Sequence, residues 1–153
     1  MRADKEKNLV DGVELLTKSV INVIAKLQEI NGCLIAYDVK TAVKATEEFN
    51  VLSFRLEATQ AKFAKLFKAE FGELNKDNVQ LLRSKSVRLD VAFGKLKHYK
   101  DELRIKVEQV NKTSESTHNF IKKRVEQKLG VSNVETTKTK NKKKSFYSKR
   151  GGF

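Results

Sequence analysis

The chain has 153 residues, no proline, seven glycines and a single cysteine, and its 32 Lys and Arg outweigh 19 Asp and Glu to give a net charge of +13. That length suits one domain, the missing proline leaves the backbone free to form long helices, and lone Cys33 excludes an internal disulfide and suits a reducing compartment. The longest apolar stretch, Val20 to Leu27, is interrupted by Asn22 and Lys26 and falls short of the roughly 20 residues of a membrane span. Residues Met1 to Lys7 are mixed in charge and lack a signal peptide's apolar core, so the expectation is a soluble cytoplasmic protein without membrane insertion.

The first predicted helix carries Leu9, Val13, Leu16, Val20, Val23, Leu27, Ile30 and Leu34, alternating steps of four and three. This heptad seam faces a partner helix, because burying each large aliphatic side chain is worth about 1.5 to 3 kcal/mol and the flanking polar faces gain nothing from burial. A tight connection near Tyr37 ends it, with Asp38 as the expected N-cap of the next helix. The second seam is Ala42, Ala45, Phe49, Leu52, Leu56, Thr59, Phe63 and Leu66. A short loop between two matched seams predicts an antiparallel hairpin.

Gly72, Asn75 and Asp77 mark the next break. A third helix is expected from about residue 78 to 129, with apolar positions at Val79, Leu82, Leu89, Phe93, Leu96, Leu103, Val107, Val110, Ile121 and Val125 and polar Ser86, Lys100, Ser114 and Thr117 in the same seam. At ~1.5 Å per residue it would reach about 78 Å against about 50 Å for each of the others, so its end should overhang. Phe120, Ile121, Val125 and Leu129 would then form an apolar strip that invites a partner. The alternative is a kink near Gly94, or a break around Thr113 to Thr117, that folds this end back as a fourth helix.

Residues 130–153 hold seven cations and one acid, Glu135, including the run Lys138 to Lys144. Ordering such a segment costs about 1 to 2 kcal/mol per residue, more than Val131, Val134, Phe146, Tyr147 and Phe153 return on burial, so it is expected to be disordered when free. Phe146 and Tyr147 lie beyond the lysines, where a short motif on a flexible linker can dock. The reading is therefore an all-α fold: an elongated antiparallel hairpin plus a long third helix, a three- to four-helix coiled-coil-like bundle over 1–129, followed by a basic tail over 130–153.

Nothing suggests catalysis. His98 and His118 stand apart, without a ligand-type neighbour at helical spacing, and Glu47, Glu48, Glu57 and Glu70 read as solvated helix faces. A phosphate-binding glycine loop, a nucleophile turn and an HExxH motif are all missing. The expectation is a nonenzymatic protein with no catalytic, cofactor or metal residues.

Three segments resemble the FlgN-type flagellar export chaperones, which keep hook-filament junction proteins soluble and bring them to the type III export apparatus. Leu34-Ile35-Ala36-Tyr37-Asp38-Val39-Lys40-Thr41-Ala42-Val43 is similar to that family's turn between its first two helices. Asn119-Phe120-Ile121-Lys122-Lys123-Arg124-Val125 resembles its late helical Asn followed by an apolar pair. Tyr147-Ser148-Lys149-Arg150-Gly151 is similar to its C-terminal Tyr-x-x-x-Gly ending. The strong basic charge and the run at 138–144 depart from the family pattern.

The resemblance implies a chaperone of flagellum assembly whose last helix wraps the terminal helices of hook-associated proteins. Val107, Val110, Phe120, Ile121, Val125 and Leu129 would bind the client, and Phe146, Tyr147 and Gly151 would contact the membrane protein of the export gate. Two other classes fit the composition: a helical nucleic-acid-binding protein with a polybasic tail, and a structural coiled-coil protein. Whether the chain is a monomer or a homodimer stays open at this stage.

Overall fold

The computed structural model describes residues 2–129, Leu129 by its backbone alone. The tail at 130–153, with Phe146, Tyr147, Gly151 and the lysine run, lies outside the described residues. Four helices follow one another: α1 (Ala3–Ile35), α2 (Val39–Phe71), α3 (Lys76–Lys85) and α4 (Val87–Leu129). The described residues contain no strand, and none of the helices is long and apolar enough to cross a membrane.

α1 is the central element. Its heptad row from Leu9 to Ile30 is buried as expected, with Leu34 partly covered at the end. A second row seven residues apart, Val10, Thr17 and Ile24, is buried as well. The wider apolar stripe lets α1 pack against both α2 and α4. Thr17 fits there because its hydroxyl donates to the Val13 carbonyl at 3.0 Å, so no polar group goes unmatched.

The α1–α2 turn is closed by the backbone. Tyr37 takes φ 58°, the Asp38 amide donates to the Cys33 carbonyl at 2.9 Å, and the Tyr37 amide donates to Leu34 at 3.0 Å. This is a Schellman-type ending with tyrosine where glycine is usual. Asp38 then caps α2 by accepting the Thr41 amide at 3.2 Å. Hydrogen bonds from the Thr41 side chain and amide hold the Asp38 carboxyl below its ordinary value.

α2 returns antiparallel to α1, with Lys26 on Glu48 at 3.0 Å near the turn and Lys5 on Glu70 at 2.7 Å at the far end. Phe49, Leu56 and Phe63 are buried, but the stripe then shifts by one position: Phe67 is sealed and Leu66 only partly covered. The cause is an aromatic cluster in which Phe63 lies 6.1 Å from Phe67 and 6.3 Å from Phe93 of α4, and Phe67 lies 5.7 Å from Phe71. Gly12 makes room for it, since a Cβ there would sit 2.8 Å from the Phe63 ring.

Gly72, at φ 87°, ends α2, and Asn75 caps α3 by accepting the Asn78 amide at 2.9 Å. The expected single helix from 78 to 129 is in fact two. The chain breaks at Ser86, whose backbone is extended and whose Oγ accepts the Leu89 amide at 3.2 Å and donates to Glu6 at 2.7 Å. Glu6 also receives Arg88 at 3.3 Å, so an acid on α1 fixes the start of α4. From there α4 is unbroken through Gly94 and through Thr113 to Thr117, and the fold-back alternative does not occur.

α4 runs parallel to α1. Glu6 meets Ser86 and Arg88 at one end, and Leu34 meets Thr117 at the other. The three long helices thus alternate up, down and up, with α3 as the connection.

Candidate functional site

Thr117 marks the place where α4 passes the end of α1. Its hydroxyl donates to the Leu34 carbonyl at 3.0 Å, satisfying one of the acceptors left open at the end of α1. α1 stops one residue later, whereas α4 continues for another twelve, about 18 Å.

On that extension Phe120, Ile121 and Val125 are 40%, 37% and 45% exposed. Val107 and Val110, grouped with them in the sequence reading, belong elsewhere: both are core residues, packed within the bundle cluster and closed to any outside partner. Helical periodicity assigns a residue to a face, and the face is buried only where α1 lies alongside it. Leu129 closes α4, and its side chain is outside the described residues.

Tyr37 reaches over from the α1–α2 turn and stacks on Phe120, with ring centroids 4.3 Å apart and planes 24° from parallel. Arg124, one turn further on, holds its guanidinium 5.7 Å from the same ring. Together Tyr37, Phe120, Ile121, Arg124, Val125 and Lys128 line a shallow groove of about 470 Å³. Positions 120, 121, 124, 125 and 128 share one helix face, so the groove is an apolar strip with cations at its edge. A left-handed backbone costs a tyrosine about 1 to 2 kcal/mol, and an aromatic stack returns about 0.5 to 1.5 kcal/mol. The turn therefore keeps its strained residue at little net cost while anchoring the base of the extension.

Such a surface has the chemistry to hold the apolar face of an amphipathic helix. Of the residues lining this groove, the sequence reading names Phe120, Ile121 and Val125 and omits Tyr37, Arg124 and Lys128. The available signal for Tyr37 was a bulky aromatic directly before a capping Asp, at a position that normally goes to glycine.

The remaining polar candidates are dispersed. His98 is largely exposed, 3.6 Å from Glu102, and His118 lies on the surface. The described residues hold no group of three His, Cys, Asp or Glu arranged to bind a metal. Cys33 is half-buried. Lys100, the charged residue of the α4 seam, has its ammonium pushed below the ordinary lysine value by burial. Compared with family models, with curated proteins and with solved structures, the chain matches none.

Proposed function

We propose that this chain is a nonenzymatic cytoplasmic chaperone that holds an amphipathic helix of a client protein on the α4 extension. The observation that carries the reading is the exposed row Phe120, Ile121 and Val125, extending past the end of α1 on a continuous helix. A contiguous solvated apolar strip costs free energy unless a partner buries it. Ile121 and Val125, four residues apart, have the spacing at which a helix presents apolar anchors to a partner.

The FlgN-type resemblance names the client class as hook-associated proteins and the delivery target as the flagellar type III export gate. Support comes from the spatial meeting of two of the three similar segments: Tyr37 of the first stacks on Phe120 of the second. The third segment, around Tyr147, supplies a separate handle for the gate in this reading.

The test is capture of a purified hook-associated protein, with and without its terminal helices, by the full chain. Ile121→Asp should weaken capture about tenfold with unchanged helicity, and Tyr147→Ala should leave capture intact while lowering export. Capture that ignores Ile121→Asp would remove the strip from the mechanism. Nucleic-acid binding is the reading to exclude: seven tail cations on duplex DNA predict a log affinity falling with log salt at a slope of about −6. A chaperone contact built on apolar faces stays nearly flat. A homodimer that buries the strip, detected by light scattering over a concentration series, would instead favour a structural coiled coil.

A further inference from the structure

A second surface lies about 30 Å back along α4 from the extension, on the valley between the first halves of α1 and α4. Its floor is apolar, formed by Val10 and Ile21 of α1 and by Val87 and Val91 of α4. Ile21, Val91 and Val87 are 39%, 53% and 81% exposed, and α2 contributes nothing to the lining. The valley encloses about 840 Å³. It is open along its length, which runs from Val10 to Ile21 and from Val87 to Tyr99, about 17 Å or three helical turns. A trough of that shape fits a helix laid lengthwise better than a compact small molecule, which seeks an enclosed pocket.

Charge selects the occupant. Lys18, Arg88 and Lys95 rim the valley against one acid, Glu14. Arg88 is held by Glu6, while Lys18 and Lys95 make no ion pair among the described residues. A second copy docked through this face on a twofold axis would set these cations against their own equivalents. The chain's own tail is excluded on the same ground, with seven cations and one acid. We propose that the α1–α4 valley is a docking site for an acidic amphipathic helix of a partner protein, which completes a four-helix bundle with α1, α2 and α4. The site is independent of the strip at Phe120 and of the function assigned to it.

The probe is a fluorescein-labelled synthetic peptide of about 15 residues with leucine at heptad seam positions and glutamate on its flanks, titrated into the full chain by anisotropy. Saturable one-to-one binding is expected. It should weaken about tenfold for a scrambled peptide of the same composition, and about tenfold for the Val91→Asp variant. Ile121→Asp should leave it within about twofold. Because Val91 is half exposed, that variant should keep its helicity. The Lys18→Glu, Lys95→Glu double variant tests the charge argument with the apolar floor intact and should also lose about tenfold. Equal binding of the scrambled peptide, indifference to both valley variants, loss caused by Ile121→Asp, or a concentration-dependent dimer abolished by Val91→Asp would each overturn the proposal.

Discussion

Two stretches of α4 share a helix and a pattern but not a fate. Up to Thr117, Leu89, Leu96, Leu103 and Val110 are at most 3% exposed, whereas beyond it Phe120, Ile121 and Val125 stand at 37% to 45%. Val107 and Ile121 stand two heptads apart at the same seam position, 8% and 37% exposed, and what separates them is whether α1 still runs alongside. Along that seam, the length of the neighbour decides which part of α4 builds the core and which part is offered outward.

The largest test of that contrast is a matched pair of truncations. Leu103→Ala should cost about 2 to 5 kcal/mol in denaturant unfolding, while Val125→Ala should stay within about 0.5 kcal/mol. Equal costs would mean that the extension is packed after all. Next comes Gly12→Ala, in the covered part of α1: the new Cβ must displace the Phe63 ring, and a net loss of about 1 to 2 kcal/mol is expected although alanine favours helix.

Lys100→Met, inside the covered stretch, replaces a half-buried ammonium with an apolar chain and should alter how stability depends on pH. The sign follows from its lowered value: below it the folded state bears the cost of a buried charge, and stability climbs as pH rises through it toward 10.5. The variant should lose that alkaline gain. Tyr37→Ala keeps the left-handed backbone and removes the stack, for a loss of about 1 kcal/mol, and hydrogen exchange should quicken at 118–129 and not at 87–117. Smallest is Gly32→Ala, where a Cβ meets nothing within 4 Å and a gain of about 0.5 kcal/mol is expected.

Much of this architecture is legible in the residues. Leu9 through Ile30 specify the buried face of α1 without ambiguity, and Asp38 and Asn75 announce the helices they cap. The break at Ser86 is marked by neither glycine nor proline; its one local signal is serine as an N-cap for the Leu89 amide, and its second support, Glu6, lies eighty residues away. The misplacement of Val107 and Val110 has a similar origin, since only the position of Leu34 against Thr117 tells where cover ends. The valley went unnoticed because Val87 and Val91 fall off the main seam. The second buried row of α1 leads to it, since Val10 and Thr17 of that row line the valley.

Because α4 passes without a break from the core to beyond the end of α1, the compass bearing of its last turns is set by the packed turns beneath them. Adding one residue between Val110 and Thr117 would swing Phe120, Ile121 and Val125 by about 100° and part Phe120 from Tyr37. Adding seven would bring them back to within about 20° of their present heading, roughly 10 Å further out, with the tyrosine left behind. The molecule aims its strip as a lighthouse aims a lamp, by the phase of the shaft.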